Sequence, residues 1–102
     1  MAHKVVFRDA AVADLTALYD YIAENNSPEI AIGYIRRIQG ACMRLATFPE
    51  RGRRRDDILP GLRTIGFERR ATIAFRVLKT RVEIVSIAYG GRDFERELRE
   101  DK

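Results

Sequence analysis

Apolar residues recur at helical spacing in the first half of the chain and at strand spacing in the second. Lys4-Val5-Val6-Phe7-Arg8 is short and rich in β-formers, and predicts a first strand. Asp9 stands where a helix cap belongs, ahead of a helix running from about Ala10 to Asn25. Ala11, Leu15, Leu18 and Ile22 fall on one stripe of that helix, which Val12, Tyr19 and Ala23 widen. Asn25-Asn26 breaks it. Ser27-Pro28 then restarts a helix, because the hydroxyl caps free amides and proline suits the first helical position. This second helix is expected to reach about Phe48, ahead of Pro49, with Ile30, Tyr34, Ile38, Ala41, Leu45 and Phe48 facing the core. Ala31, Ile35, Cys42 and Ala46 form a partial stripe beside it, and Tyr21 falls off the main face of the first helix. So much apolar surface implies an antiparallel helical hairpin on a sheet with some apolar surface left uncovered; the alternative is that all of it is core.

The second half reads differently. Glu50 to Asp57 is polar and dense in arginine, and is expected to be a loop, followed by a Pro60-Gly61 turn. Three β-rich runs follow, Leu62 to Phe67, Ala71 to Leu78 and Arg81 to Tyr89, the last two joined by a tight connection at Lys79-Thr80. Along the last run Val82, Ile84, Ser86 and Ala88 are expected on one face, and Glu83, Val85, Ile87 and Tyr89 on the other. Both faces are apolar toward its end, as befits a central strand covered on each side. Gly90-Gly91 ends it, and Asp93 can cap a short charged helix through about Glu100. The order βααβββ with a short C-terminal helix predicts an α+β fold, with the helical hairpin packed on a small, mainly antiparallel sheet.

Charge sharpens this picture. The net charge is +4, but residues 51–92 alone carry eleven bases against four acids. Sixteen of the nineteen bases are arginine, the side chain that pairs two-pronged with carboxylate or phosphate. An acidic partner is implied, either nucleic acid or an acidic protein segment. No stretch approaches a membrane span, and Met1-Ala2-His3-Lys4 lacks the apolar run of a signal peptide, so a cytoplasmic protein with no membrane partner is expected.

Familiar catalytic chemistry is missing. One histidine, His3, and one cysteine, Cys42, cannot supply zinc spacing or a nucleophilic triad, and no cofactor motif is present, so neither metal nor cofactor is expected. Asp56-Asp57 and Glu83 read as solvated charges rather than paired catalytic carboxylates. Arginines on a concave sheet stabilising charge at phosphorus would be one remaining route, with Tyr89 the best tyrosine for proton transfer. Ten of the eleven bases in the basic segment are arginines, which do not usefully deprotonate; only Lys79 does, from a predicted turn. The composition favours clamping an anion over shuttling protons.

Several fragments, in order and spacing, carry a resemblance. They are Ala11-Val12-Ala13-Asp14-Leu15, then Tyr21 through Pro28, then Phe48-Pro49-Glu50-Arg51-Gly52-Arg53. Leu59-Pro60-Gly61-Leu62-Arg63, Ala74-Phe75-Arg76-Val77, and Val82 through Ile87 closing on Gly90-Gly91-Arg92-Asp93 complete the set. Over nearly its whole length, taken as one domain of residues 1–102, the chain resembles the ParE/RelE superfamily of toxins, specifically its ParE side. The resemblance implies the RelE/ParE-like fold and a toxin of a type II toxin–antitoxin system, of the kind associated with plasmid stabilisation in bacteria. It also implies a cognate ParD-like antitoxin with an acidic, amphipathic C-terminal segment. DNA would then be contacted only indirectly, through the antitoxin.

ParE-like toxins inhibit DNA gyrase, whereas RelE-like toxins cut mRNA on the ribosome. Arg92 aligns with an arginine that RelE-like enzymes use, but the position of their catalytic tyrosine is Leu98 here. The basic residue expected at the end of their second strand falls on or near Phe67. These departures favour a gyrase-inhibiting binding protein with no catalytic residue, the RelE-like ribosome-dependent endonuclease being the alternative. Arg63, Arg76, Arg92, Tyr21 and Ile35 are the candidates for antitoxin or target contact.

Overall fold

The computed structural model describes residues 4–90. In chain order the elements are β1 (Lys4–Phe7), α1 (Asp9–Asn25), α2 (Pro28–Arg44), β2 (Arg53–Arg54), β3 (Leu62–Phe67), β4 (Ala71–Val77) and β5 (Arg81–Tyr89). The strands form one sheet in the order β1-β5-β4-β3-β2. Among the described strands only the β1–β5 pair is parallel. The fold is α+β, with the helical hairpin on the sheet, as expected from the alternation of spacings. His3, Arg92, Leu98 and the helix expected from Asp93 lie outside the described residues.

Several details depart from the sequence-based expectations. Arg8, in extended conformation, is the N-cap of α1 and makes no side-chain cap bond; Asp9 sits inside the first turn, where its charge complements the helix dipole. The second helix stops at Arg44 rather than Phe48. Leu45, Ala46 and Thr47 donate to carbonyls three residues back (Cys42, Met43 and Arg44), so the chain tightens and leaves the helix before Pro49. The arginine-dense segment is not all loop, since Arg53–Arg54 pairs antiparallel with Arg63 and Thr64. Gly52 makes that approach possible: its φ is +77°, and a Cβ there would lie 2.3 Å from the Thr64 carbonyl oxygen.

Another departure is a bulge. Ala74 pairs with Ser86 but Phe75 pairs with Ile84, leaving Val85 without an opposite residue. The expected alternation along β5 is therefore broken: Val82 and Ile84 share the helix-side core with Ile87 and Tyr89. Val85 joins Ile58, Leu62 and Ala74 in a smaller core on the other face of the sheet.

The buried stripe of α2 is also rotated from the expected one. Tyr34, Ile38 and Leu45 are buried with Ala31, Ile35 and Cys42, while Ile30 and Phe48 are 57% and 62% exposed. Ile30 lies in the first turn of α2, at the margin of the buried stripe, and Phe48 lies beyond the helix's end at Arg44. On α1, Ala11, Leu15, Leu18 and Ile22 are buried as expected, but Val12 is half exposed. Ser27 caps α2 as its position predicts, its Oγ accepting from the Ile30 amide at 3.1 Å.

Candidate partner-binding surfaces

Three surfaces have the composition to receive a partner. The first is an apolar groove of about 440 Å³, lined by Phe7 of β1, Val12, Leu15, Thr16 and Tyr19 of α1, and Ile35 and Gln39 of α2. Ile32 and Met43, both exposed, lie seven residues before and four after Gln39 and so continue its stripe along α2. From Ile32 to Met43 the strip is about 16 Å long, the length of a three-turn amphipathic helix. Exposed apolar surface in one strip marks an interaction site more than scattered residues do.

The second surface is at the β2 edge of the sheet. Arg54 holds Asp56 two-pronged, Nε and Nη2 donating at 3.2 and 3.4 Å, and Arg55 holds Asp57 at 3.0 and 2.9 Å. Asp56 also accepts from the Gly61 amide at 2.8 Å. That backbone bond first, then Arg54, holds the Asp56 carboxyl below the usual carboxylate range. Asp56 and Asp57, expected as solvated charges, are thus tied to arginines. Glu83 is tied more loosely, its Oε1 3.7 Å from Arg76 Nη1 with no hydrogen bond.

The third surface is aromatic. Tyr34 meets Phe67 and Tyr89 edge-on, with centroids 5.6 and 5.7 Å apart, and Tyr21 leans on Tyr89 at 5.9 Å. The Arg37 guanidinium lies 5.4 Å over the Tyr34 ring and grips Glu68 through Nε at 2.8 Å and Nη2 at 3.2 Å. Glu68 and Arg69 form the β3–β4 turn with φ of +48° and +65°, a left-handed geometry usually left to glycine or asparagine. The Tyr34 hydroxyl is buried without a partner, and burial, reinforced by Tyr89 and Glu68, pushes its pKa up to about 12. Tyr89, the tyrosine singled out for proton transfer, is half-buried against the rings of Tyr21 and Tyr34. A cavity of about 370 Å³ beside it is lined by Ala17, Leu18, Tyr21, Arg70, Ile87, Tyr89 and Gly90. Burial also pushes the Cys42 thiol up to about 12.

The sequence-nominated residues do not converge on one of these surfaces. Ile35 is on the groove floor and Tyr21 lines the aromatic cavity. Arg63 stands opposite Phe75, on the helix side of the sheet. Arg76 stands opposite Leu62 and Glu83, on the other side. Strand alternation separates them, because Arg63 and Arg76 occupy adjacent register positions on neighbouring strands. Arg92 is outside the described residues.

Asp14 was missed by sequence reasoning. Its buried Oδ2 accepts from Ser86 Oγ at 3.1 Å and from the Ile87 amide at 2.9 Å, fastening α1 to the β5 bulge. Its position three after the buried Ala11 and four before the buried Leu18 was a weak signal; the bulge that supplies its donors has none in the sequence.

The fold agrees with that of known relatives. Residues 5–94 match the family described as ParE toxin of type II toxin-antitoxin system, parDE. Toxin ParE3 of Caulobacter vibrioides is 41% identical over 51 residues, which is 50% of this chain and 51% of that protein. The chain thus matches about half the length of that curated relative. A solved structure described as the chromosomal ParDE TA system from P. aeruginosa superimposes with a TM-score of 0.76 at 28% identity, covering 87% of this chain and 97% of that one. The chain belongs to the ParE toxin family of type II toxin–antitoxin systems.

Proposed function

We propose that this chain, folded as one domain over residues 1–102, is a cytoplasmic toxin that binds and inhibits DNA gyrase. A cognate ParD-like antitoxin neutralises it, laying the apolar face of an acidic, amphipathic segment into the groove between β1, α1 and α2. The observation that carries this reading is the groove itself, a 440 Å³ apolar channel prolonged by Ile32 and Met43. Helix-in-groove recognition takes apolar anchors at such spacing and leaves the charged face of the guest outward. Ile35 contacts the antitoxin, while Tyr21, Arg63, Arg76 and Arg92 are the further contact residues for antitoxin or target. DNA is reached only through the antitoxin. No helix among the described residues is long and apolar enough to cross a membrane.

The test pairs two assays. Purified protein is incubated with gyrase and relaxed plasmid, and separately with translating ribosomes. Gyrase should lose supercoiling activity, and adding the antitoxin should restore it. Cuts in mRNA at the ribosomal A site with gyrase untouched would transfer the chain to the RelE-like alternative.

A further inference from the structure

The groove and the arginine-rich edge lie at opposite ends of the sheet: Phe7 lines the groove from β1, and β1 and β2 are the two outer strands of the order β1-β5-β4-β3-β2. Four strand spacings of about 4.8 Å separate them, roughly 19 Å. A helix seated in the groove therefore leaves the β2 edge uncovered. Residues 51–63 carry five arginines and two aspartates. The aspartates are taken by Arg54 and Arg55. Arg51 and Arg53 hold no ion pair among the described residues. No described strand pairs with the outer side of β2. Beside this edge, Phe48 stands 62% exposed in a hollow of about 530 Å³ shared with Thr47, Pro49, Glu50 and Arg51.

We propose that the β2 edge with Arg51 and Arg53, and with Phe48 beside it, is a second protein-binding surface that takes an acidic, extended segment of the toxin's target. This rests on the reading above only in that a toxin has a target as well as a neutraliser. Carboxylate is the chemistry that this edge already accommodates, since Arg54 and Arg55 each hold an aspartate two-pronged within the same segment. An extended guest adds backbone hydrogen bonds along the open edge, and an apolar anchor fills the Phe48 hollow. A protein fits better than a nucleic acid, because Glu50, Asp56 and Asp57 are interleaved with the arginines and repel a continuous phosphate backbone.

The probe is a synthetic glutamate-rich decapeptide with one phenylalanine, titrated into the full-length ¹⁵N-labelled chain. Saturable shifts at Phe48, Arg51, Arg53 and Thr64 are expected. Arg51→Glu with Arg53→Glu should weaken binding at least tenfold, while Val12→Lys in the groove should change it less than twofold; the spectra themselves report that each variant is folded. The peptide should bind equally well when the antitoxin already occupies the chain. Absence of saturable binding, shifts centred on the groove, or displacement by antitoxin would overturn the proposal. Tighter binding of a single-stranded RNA of equal length at the same residues would overturn it in favour of nucleic acid. The gyrase assay is independent: failure there removes gyrase as the target without altering the peptide result.

Discussion

Asp14 and Arg37 each fasten a helix to the sheet, yet under opposite conditions. Asp14 does so from a buried site, its carboxylate meeting a hydroxyl and a backbone amide that the β5 bulge turns toward α1. Arg37 does so at the surface, gripping Glu68 on a turn whose two central residues are left-handed. The same kind of bond has unequal worth in these places. Removing a buried acceptor strands its donors away from water, whereas an exposed pair exchanges easily for hydration. The inner tie fixes the fold. The outer one steadies a strained turn beside the aromatic cluster.

The largest effect should therefore come from Asp14. Asp14→Ala removes the acceptor for two charge-assisted bonds and should lower unfolding stability by about 2–4 kcal/mol in urea titration. A loss below about 0.5 kcal/mol, the level of an ordinary surface change, would erase the contrast. Arg69→Gly should raise stability, by about 1 kcal/mol, because glycine relieves the left-handed cost at φ +65°. Tyr34→Phe should be close to neutral or slightly stabilising, within about 1 kcal/mol, since it deletes a buried hydroxyl that has no partner.

Two titrations sharpen the comparison further. Tyr34 should ionise near 12 in an alkaline absorbance titration, and that step should vanish in Tyr34→Phe. Because its folded pKa is raised above the ordinary tyrosine value of 10.0, its contribution to stability is present below pH 10 and lost as pH climbs toward 12. At the acid end Glu68 is held below its usual value, first by the hydrogen bond from Arg37. That contribution is present above the ordinary carboxylate range and fades as pH falls through the folded value. Arg37→Gln should produce the smallest change in melting temperature of the set and abolish this acid dependence, the wild-type difference shrinking in high salt.

The helices, the hairpin and the three long strands were legible because apolar spacing of three and four, or of two, reports burial directly. Leu62–Phe67 and Arg81–Tyr89 fall where turn residues bracket β-branched runs. What pattern could not reveal depends on contacts distant in sequence. Helix α2 was over-extended because Phe48 continues a spacing that the chain abandons three residues earlier. The bulge at Val85 reversed half of β5, and a single unpaired residue leaves no trace in composition. For the candidate surfaces, apolar excess on the hairpin pointed to an uncovered groove, and Ile35 does line it. Arginine density pointed to an acidic partner, but not to the faces that separate Arg63 from Arg76, since register across strands decides that.

In the function proposed above, the groove between β1, α1 and α2 receives the antitoxin. Val12→Glu places a charge on a half-exposed groove residue without touching the core. Isothermal titration of this variant with the antitoxin should show affinity reduced at least a hundredfold, with the far-ultraviolet spectrum unchanged. Affinity within threefold of the wild type would contradict the account.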